Sequence, residues 1–456
     1  MAKKKQIELT IEEKLQNALV PKEEQPYKIP NNWCWIRLEN IAEWGSGGTP
    51  SRKRKEYYNG NIPWIKTGEL NNGYIFNSEE KITELGLKNS SAKLYPINTV
   101  IIAMYGATIG KVGILSIEAT TNQACACAIV YKNILFKYVF HYLIYQKEAF
   151  INKSKGGAQP NLSQEIIKKH EIPLPPIKEQ QRIVNIIESL FAKLDRAKEL
   201  IENTLAQFEQ NKMAILHKAF TGELTAKWRK ENNIDLSSWQ DYQLKDICEK
   251  ITDGTHNSPI NTDLGDYMYI TAKNIKEEGI DLSKITYVSS DIHEKIYARC
   301  NVEFGDVLYI KDGATTGIAT INTIKEQFSL LSSVAVLKPK KNKLLAKYLV
   351  YKLNSNEVRN MMINNMSGVA ITRLTLTKIK QAKMKFPTIE EQQEIVNILD
   401  KLLAKYNKIK NLEQQLEKIE LLKKAILAKA FRGELGTNNP DEESAENLLK
   451  EILAEK

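Results

Sequence analysis

The sequence predicts an α+β protein with an internal pseudo-two-fold repeat: two globular domains of mixed α/β structure, separated by two long helices that form an antiparallel coiled coil. Three observations predict it. Residues 214–224 (AILHKAFTGEL) and 425–435 (AILAKAFRGEL) agree at nine of eleven positions, and 179–187 (EQQRIVNII) and 391–399 (EQQEIVNIL) at seven of nine, at offsets of 211 and 212. The segments holding these repeats carry apolar residues at alternating spacings of three and four. The stretches before each of them carry short apolar runs bounded by Gly, Asn and Pro.

The elements follow in order. An N-terminal arm (1–30) starts Met1-Ala-Lys-Lys-Lys5 and continues with mixed polar residues, not an apolar signal core. The first globular domain (31–175) shows strand-like runs at Ile62–Ile65, Val100–Ala103 and Ala126–Val130, then a helix over Lys137–Phe150. The first helical spacer (176–232) begins at Pro175-Pro176 and ends at Gly222, with a seam of Ile183, Ile187, Leu190, Leu194, Ala197 and Ile201. From Ile177 to Phe220 such a helix is about 66 Å long at roughly 1.5 Å per residue. The second domain (233–386) repeats the pattern with Met268–Ile270, Val307–Ile310, Val334–Leu337 and a helix over Lys347–Met361. The second spacer (387–436) enters at Pro387-Thr388, exits at Gly433 and lines its seam with Ile395, Leu399, Leu402, Ile409 and Leu416. An acidic tail (437–456) closes the chain. Trp33, Leu38, Ile41 and Thr49 align with Trp239, Leu244, Ile247 and Thr255 at an offset of 206, and Gly106–Gly110 aligns with Gly313–Gly317.

Charge is uneven. The chain carries +10, but the tail from Thr437 carries −4, so residues 1–436 carry +14, a balance that suits a polyanion partner. Five scattered cysteines form no Cys-x-x-Cys pair, and Cys125 and Cys127, alternating with alanines in an apolar strand-like run, read as buried small residues, which suits a reducing, cytoplasmic compartment; no run of about 18 apolar residues suggests a membrane span. Catalytic signatures are missing. Gly106-x-x-x-Gly110-Lys111 is one residue short of a phosphate loop and lacks the following Ser or Thr, so it reads as a strand–turn–strand hinge. No G-x-G-x-x-G follows a strand, no H-E-x-x-H exists, and the five histidines are dispersed, so no cofactor or metal is expected in this chain. Two copies that keep their helices and diverge in their globular parts fit paired readers of two different targets.

The run Arg52-Lys53-Arg54-Lys55, with Ser51 before it and Tyr57 after it, lies between predicted strands. There its cations can meet phosphates while forked side chains reach base edges. Lys66, Thr67, Lys111 and Gln159 are further candidates in the first domain; His256, Asn257, Lys273, Asn274, Lys311 and Arg373 are those of the second. At Gly47-Gly-Thr-Pro-Ser51, Asn61-Ile-Pro-Trp-Ile-Lys-Thr-Gly68, Tyr105–Gly113, Asn122-Gln-Ala-Cys125 and the repeated Glu-Gln-Gln and Lys-Ala-Phe-x-Gly-Glu-Leu helix ends, the chain resembles the specificity subunit of type I restriction–modification systems over essentially its whole length. The second domain departs further, with Asp253-Gly-Thr-His256 in place of the Gly-Gly-Thr-Pro form.

The resemblance implies that each globular domain is a target-recognition domain for one half of a bipartite, asymmetric site in double-stranded DNA. It implies that the helices dock two methyltransferase subunits using S-adenosylmethionine. Two translocase–endonuclease subunits using ATP and Mg would complete the complex, and the chain itself would be no enzyme. The competing expectation is a coiled-coil scaffold or adaptor with two protein-binding domains and no DNA role.

Overall fold

The structure, a computed structural model, describes residues 9–154, 161–364, 374–407 and 410–455. The chain divides into two units, residues 1–200 with 415–456, and residues 201–414.

In the first unit α1 (Ile11–Ala18) starts from a capping box: the Thr10 hydroxyl accepts from the Glu13 amide, and the Glu13 carboxylate accepts from the Thr10 amide. Next come β1 (Cys34–Arg37), β2 (Ala42–Ser46), β3 (Tyr58–Ile65), β4 (Gly73–Ile75), β5 (Glu80–Ile82) and α2 (Glu84–Lys88). They are followed by β6 (Val100–Ala103), β7 (Val112–Leu115), β8 (Thr120–Thr121), β9 (Cys125–Val130), α3 (Phe136–Tyr145), α4 (Lys147–Lys153), α5 (Gln164–Lys168) and β10 (Glu171–Leu174). The strands form sheets in the orders β2-β9-β6-β7-β4, β5-β3-β8 and β1-β10.

The central sheet is buried on both faces. Val100, Ile102, Ala126 and Ala128 pack on the side of Tyr138, Val139 and Tyr142 of α3, whereas Ile101, Ala103, Cys125 and Cys127 meet Ile65 of β3. This two-sided burial explains why β6 reads as an unbroken apolar run, and why cysteine alternates with alanine in β9. All five cysteines are free and buried.

Next along the chain come α6 (Ile177–Thr221) and α7 (Ala226–Glu231). The second domain runs β11 (Gln240–Gln243), α8 (Leu244–Ile247), β12 (Cys248–Asp253), β13 (Tyr267–Ile270), β14 (Ile275–Lys276), β15 (Gly279–Ile280), β16 (Thr286–Val288) and α9 (Ser290–Arg299). It continues with β17 (Val307–Ile310), β18 (Ala319–Ile321), β19 (Ser329–Leu330), β20 (Val334–Pro339), α10 (Ala346–Leu353), α11 (Asn356–Asn364), α12 (Leu376–Gln381) and β21 (Lys383–Phe386). The sheet order β12-β20-β17-β18 repeats β2-β9-β6-β7, and β16-β13-β19 repeats β5-β3-β8. The middle strand of the smaller sheet pairs antiparallel on one side and parallel on the other in both copies. The repeat seen in the sequence is therefore a repeat of topology.

The chain ends with α13 (Ile389–Asn407), α14 (Lys410–Phe431) and α15 (Ala445–Ala454). In the first unit Ile183 and Ile187 of α6 share a core with Leu427, Ala430 and Phe431 of α14. Asp195 pairs with Lys423 at 2.5 Å and Lys198 with Glu420 at 3.1 Å, so rising numbers meet falling ones and the helices run antiparallel. In the second unit Leu216, Ala219 and Phe220 of α6 share a core with Ile395, Val396 and Leu399 of α13. Leu190, Leu194, Ile201, Leu402 and Leu416 are half-buried; Ile409 lies outside the described residues.

Both Glu-Gln-Gln motifs do the same structural work. Gln180 Oε1 accepts from the Leu135 amide at 3.0 Å while its Nε2 donates to the Pro175 carbonyl at 3.0 Å. Gln392 accepts from the Leu345 amide at 2.9 Å and donates to the Pro387 carbonyl at 3.1 Å. Each glutamine thus ties the start of a long helix to the residue preceding α3 or α10. The adjacent acids, Glu179 and Glu391, are fully buried. Glu391 accepts from Thr225 Oγ1 at 2.6 Å, Arg229 Nη1 at 2.6 Å and Trp239 Nε1 at 2.9 Å; Glu179 accepts from Thr437 Oγ1 and Arg182.

One expectation is corrected. The helices expected over Lys137–Phe150 and Lys347–Met361 are each two helices. In the second copy Asn354 leaves the helix to bond the backbone of Ala319 on β18 in both directions, at 2.8 and 2.9 Å. The acidic tail contains a packed helix: Leu449, Ile452 and Leu453 of α15 enter the core that holds Leu15 and Ala18 of α1. Its apolar spacing of three and four outweighs the charge count.

Candidate nucleic-acid interface

In the first domain the loop from Gly47 to Tyr57 joins the two sheets between β2 and β3. A Cβ on Gly47 would lie 2.2 Å from the Asn122 carbonyl oxygen, and one on Gly48 would lie 2.3 Å from the Ala92 nitrogen, so only glycine lets the loop pass here. Trp64 Nε1 then donates to the Gly48 carbonyl at 2.9 Å, and the Tyr58 hydroxyl to the Pro50 carbonyl at 2.5 Å. The loop is anchored at its start.

Arg52 lies over the rings of Tyr58 (4.4 Å) and Trp64 (4.9 Å), and its fork donates to both Glu80 oxygens at 2.6 and 3.2 Å. The guanidinium holds the Glu80 carboxyl below the usual carboxylate range, and Glu80 raises Arg52 in turn. Lys66 donates to Glu79 at 3.0 Å and to Glu80 at 3.1 Å. Of the cations singled out in this region, Arg52 and Lys66 are already paired with Glu80 of β5 and, for Lys66, with Glu79 just before it. Lys53, Arg54 and Lys55 are exposed; Arg54 makes only a 3.5 Å contact with Glu56. Ser51 is exposed, and Tyr57 and Thr67 are half-buried beside the loop. Lys111 is half-buried in the turn joining β6 to β7, where Gly106 (φ 66°) and Gly110 (φ 76°) take left-handed backbone, as do Gly313 and Gly317 in the second copy. That turn is the hinge expected from the sequence. Gln159 lies outside the described residues.

In the second domain the matching loop runs from Gly254 to Asp266, between β12 and β13. His256 is exposed, and its Nε2 lies 2.9 Å from Arg299 Nη2. Arg299 also donates to the buried Asp253 carboxylate at 2.7 Å. Asn257 and Lys273 are exposed. Lys311 and Asn274 are corrections. Lys311 is buried between Asp253 (3.4 Å) and Asp312 (3.2 Å). Asn274 is buried in a turn, accepting from the Thr271 amide and donating to the Asp281 carbonyl. Both hold the domain together and present nothing outward. Arg373 lies outside the described residues.

Sequence reasoning missed Glu79, Glu80 and Arg299, which decide which cations are free. Their signal is tertiary: none lies within helical or strand spacing of its partner. Among the described residues no group of three or more His, Cys, Asp or Glu is placed to hold a metal ion, and no helix is long and apolar enough to cross a membrane.

Two segments of the chain, residues 30–207 and 237–421, match the family described as the type I restriction modification DNA specificity domain. The chain is 26% identical over 421 residues to the type I restriction enzyme MjaIX specificity subunit of Methanocaldococcus jannaschii, covering 90% of this chain and 94% of that protein. It is 24% identical over 454 residues to the EcoKI specificity subunit of Escherichia coli, covering 94% and 96%. Its fold is similar to a chain in a structure of a type I R-M system (TM-score 0.67, 20% identity, 90% and 100% covered). It is also similar to the HsdS subunit of Thermoanaerobacter tengcongensis (TM-score 0.52, 19% identity, 90% and 100% covered).

Proposed function

The chain belongs to the type I restriction–modification DNA specificity family, and from that premise we propose that it directs a methyltransferase to a bipartite, asymmetric site in double-stranded DNA. One observation carries the reading: a single topology occurs twice, with its buried helix-anchoring glutamines kept and its inter-sheet loops replaced. Kept scaffolds with unlike loops are what two different half-sites require. The exposed Lys53, Arg54 and Lys55 supply sequence-independent phosphate attraction, and the neighbouring polar side chains supply base-edge contacts.

On this reading α6, α13 and α14 fix the separation of the half-sites and dock two methyltransferase subunits, with two translocase–endonuclease subunits completing the assembly in the cytoplasm. S-adenosylmethionine, ATP and Mg belong to those partners, and this chain performs no chemical step. The test is methylome sequencing of a host that carries the protein with its methyltransferase. The expected result is one modified motif of two unlike half-sites at a fixed spacing. A continuous motif, or none, overturns the reading.

A further inference from the structure

The two inter-sheet loops occupy the same place in the repeated topology but have opposite chemistry. The first carries four consecutive cations; residues 254–266 contain no lysine or arginine. Instead they present Ile260 and Leu264, each 85% exposed, the most exposed large apolar side chains among the described residues.

This exposure does not come from a slack loop. A Cβ on Gly254 would lie 1.9 Å from the Leu330 carbonyl oxygen, and the Thr255 amide donates to that same carbonyl at 2.8 Å. Thr262 exchanges backbone hydrogen bonds with Tyr287 of β16 at 3.1 and 2.8 Å, and its hydroxyl donates to the Leu264 carbonyl at 2.5 Å. Asp266 accepts from the Ser290 amide (3.1 Å) and hydroxyl (2.9 Å) at the start of α9. The loop is fastened at its base, middle and end, and the two aliphatic side chains flank the middle fastening. Apolar groups held rigidly in water have already given up the chain entropy that binding would otherwise cost.

Duplex DNA offers one apolar group on its base edges, the thymine C5-methyl in the major groove. Without lysine or arginine, this loop cannot supply the phosphate attraction of its counterpart. A cation does lie nearby: the exposed Lys273, just after β13. We propose that Ile260 and Leu264 read thymine methyl groups in the half-site of the second domain, with Lys273 on the phosphates. The two half-sites are then recognised by different chemistry. This inference rests on the DNA-reading function proposed above.

The experiment uses the full-length chain with its methyltransferase and duplexes of the methylome-derived site. Each thymine is replaced in turn by deoxyuridine, which removes the methyl and keeps the pairing. At one or more positions in a single half-site the affinity should fall about fourfold, the value of one buried methyl. That sensitivity should vanish in the I260A/L264A variant and persist in Lys53→Ala. Both side chains are largely in water, so the variant loses little buried contact, and an unchanged thermal melt checks that it is folded. Tolerance of uracil at every position overturns the inference, as does sensitivity that survives I260A/L264A. Loss of the methyltransferase from the variant on gel filtration also overturns it, because the loop then serves a protein partner. Absence of any sequence-specific binding by the unaltered complex would instead sink the functional reading and this inference together.

Discussion

Replacing Lys53, Arg54 and Lys55 together by alanine tests whether the first inter-sheet loop faces phosphates. Each cation that neutralises one phosphate contributes roughly 0.9 to the slope of log affinity against log salt. Three exposed cations should therefore flatten that slope by about 2.7. Between about 50 and 200 mM salt, the affinity gap between parent and variant should shrink about 40-fold. Arg52→Ala behaves differently, because the Arg52 fork is spent on Glu80 and its plane on Tyr58 and Trp64. It should leave the slope nearly unchanged. Fluorescence anisotropy titrations of a labelled bipartite duplex across a salt series give both numbers. An unchanged slope in the triple variant removes the loop from the interface; flattening by Arg52→Ala equal to that by Lys53→Ala refutes the assignment of Arg52 to the scaffold.

Arg229→Ala should destabilise the second unit by about 3–5 kcal/mol in urea unfolding, because it strips the strongest donor from a fully buried carboxylate, Glu391; a loss below about 1 kcal/mol would contradict this. Lys352 is buried among the rings of Phe220, Tyr348 and Phe386, and burial lowers its pKa to about 8. The unfolded chain binds a proton below about 10.5 that the folded chain binds only below about 8, so stability should rise with pH across that window. Lys352→Met should remove the rise and stabilise the domain by roughly 1–3 kcal/mol at neutral pH; a pH-flat parent would refute the assignment. Proline at Leu194 or Leu402 should break its helix, costing about 3 kcal/mol or more, and abolish methylation at the original spacing while circular dichroism shows the domains folded. Normal methylation by both variants would contradict the spacer role.

Much of the scaffold is legible in the sequence because it is written in local periods. Val100–Ala103 and Val307–Ile310 are strands with those same bounds, and the heptad stretches are helices that start after Pro176 and Thr388. What periods cannot carry is pairing between distant residues. Lys311 looks like an exposed cation until Asp253 and Asp312 close on it, and Arg52 looks free until β5 brings Glu80 alongside. The acidic count from Thr437 onward hid the apolar stripe of α15 for a related reason: a charge sum ignores which face each residue occupies. Ile260 and Leu264 carry no motif at all. Their meaning lies in the backbone bonds that hold Thr262 to Tyr287.

The central claim is that two homologous halves each read one half-site, and a half-length protein tests it most directly. Residues 1 to about 230 retain the first recognition domain and all of α6. In the full chain, the Gly-Glu-Leu end of each long helix supplies a threonine to a buried acid at the start of the other, Thr225 to Glu391 and Thr437 to Glu179. A second copy of the half-length chain can supply the missing threonine and helix by two-fold symmetry, and a two-fold protein reads a two-fold site. With the methyltransferase present, methylome sequencing should show a palindromic bipartite motif, the first half-site followed by its inverted copy. A folded, dimeric half-length protein that still modifies the original asymmetric site, or shows no symmetric preference, would contradict the account.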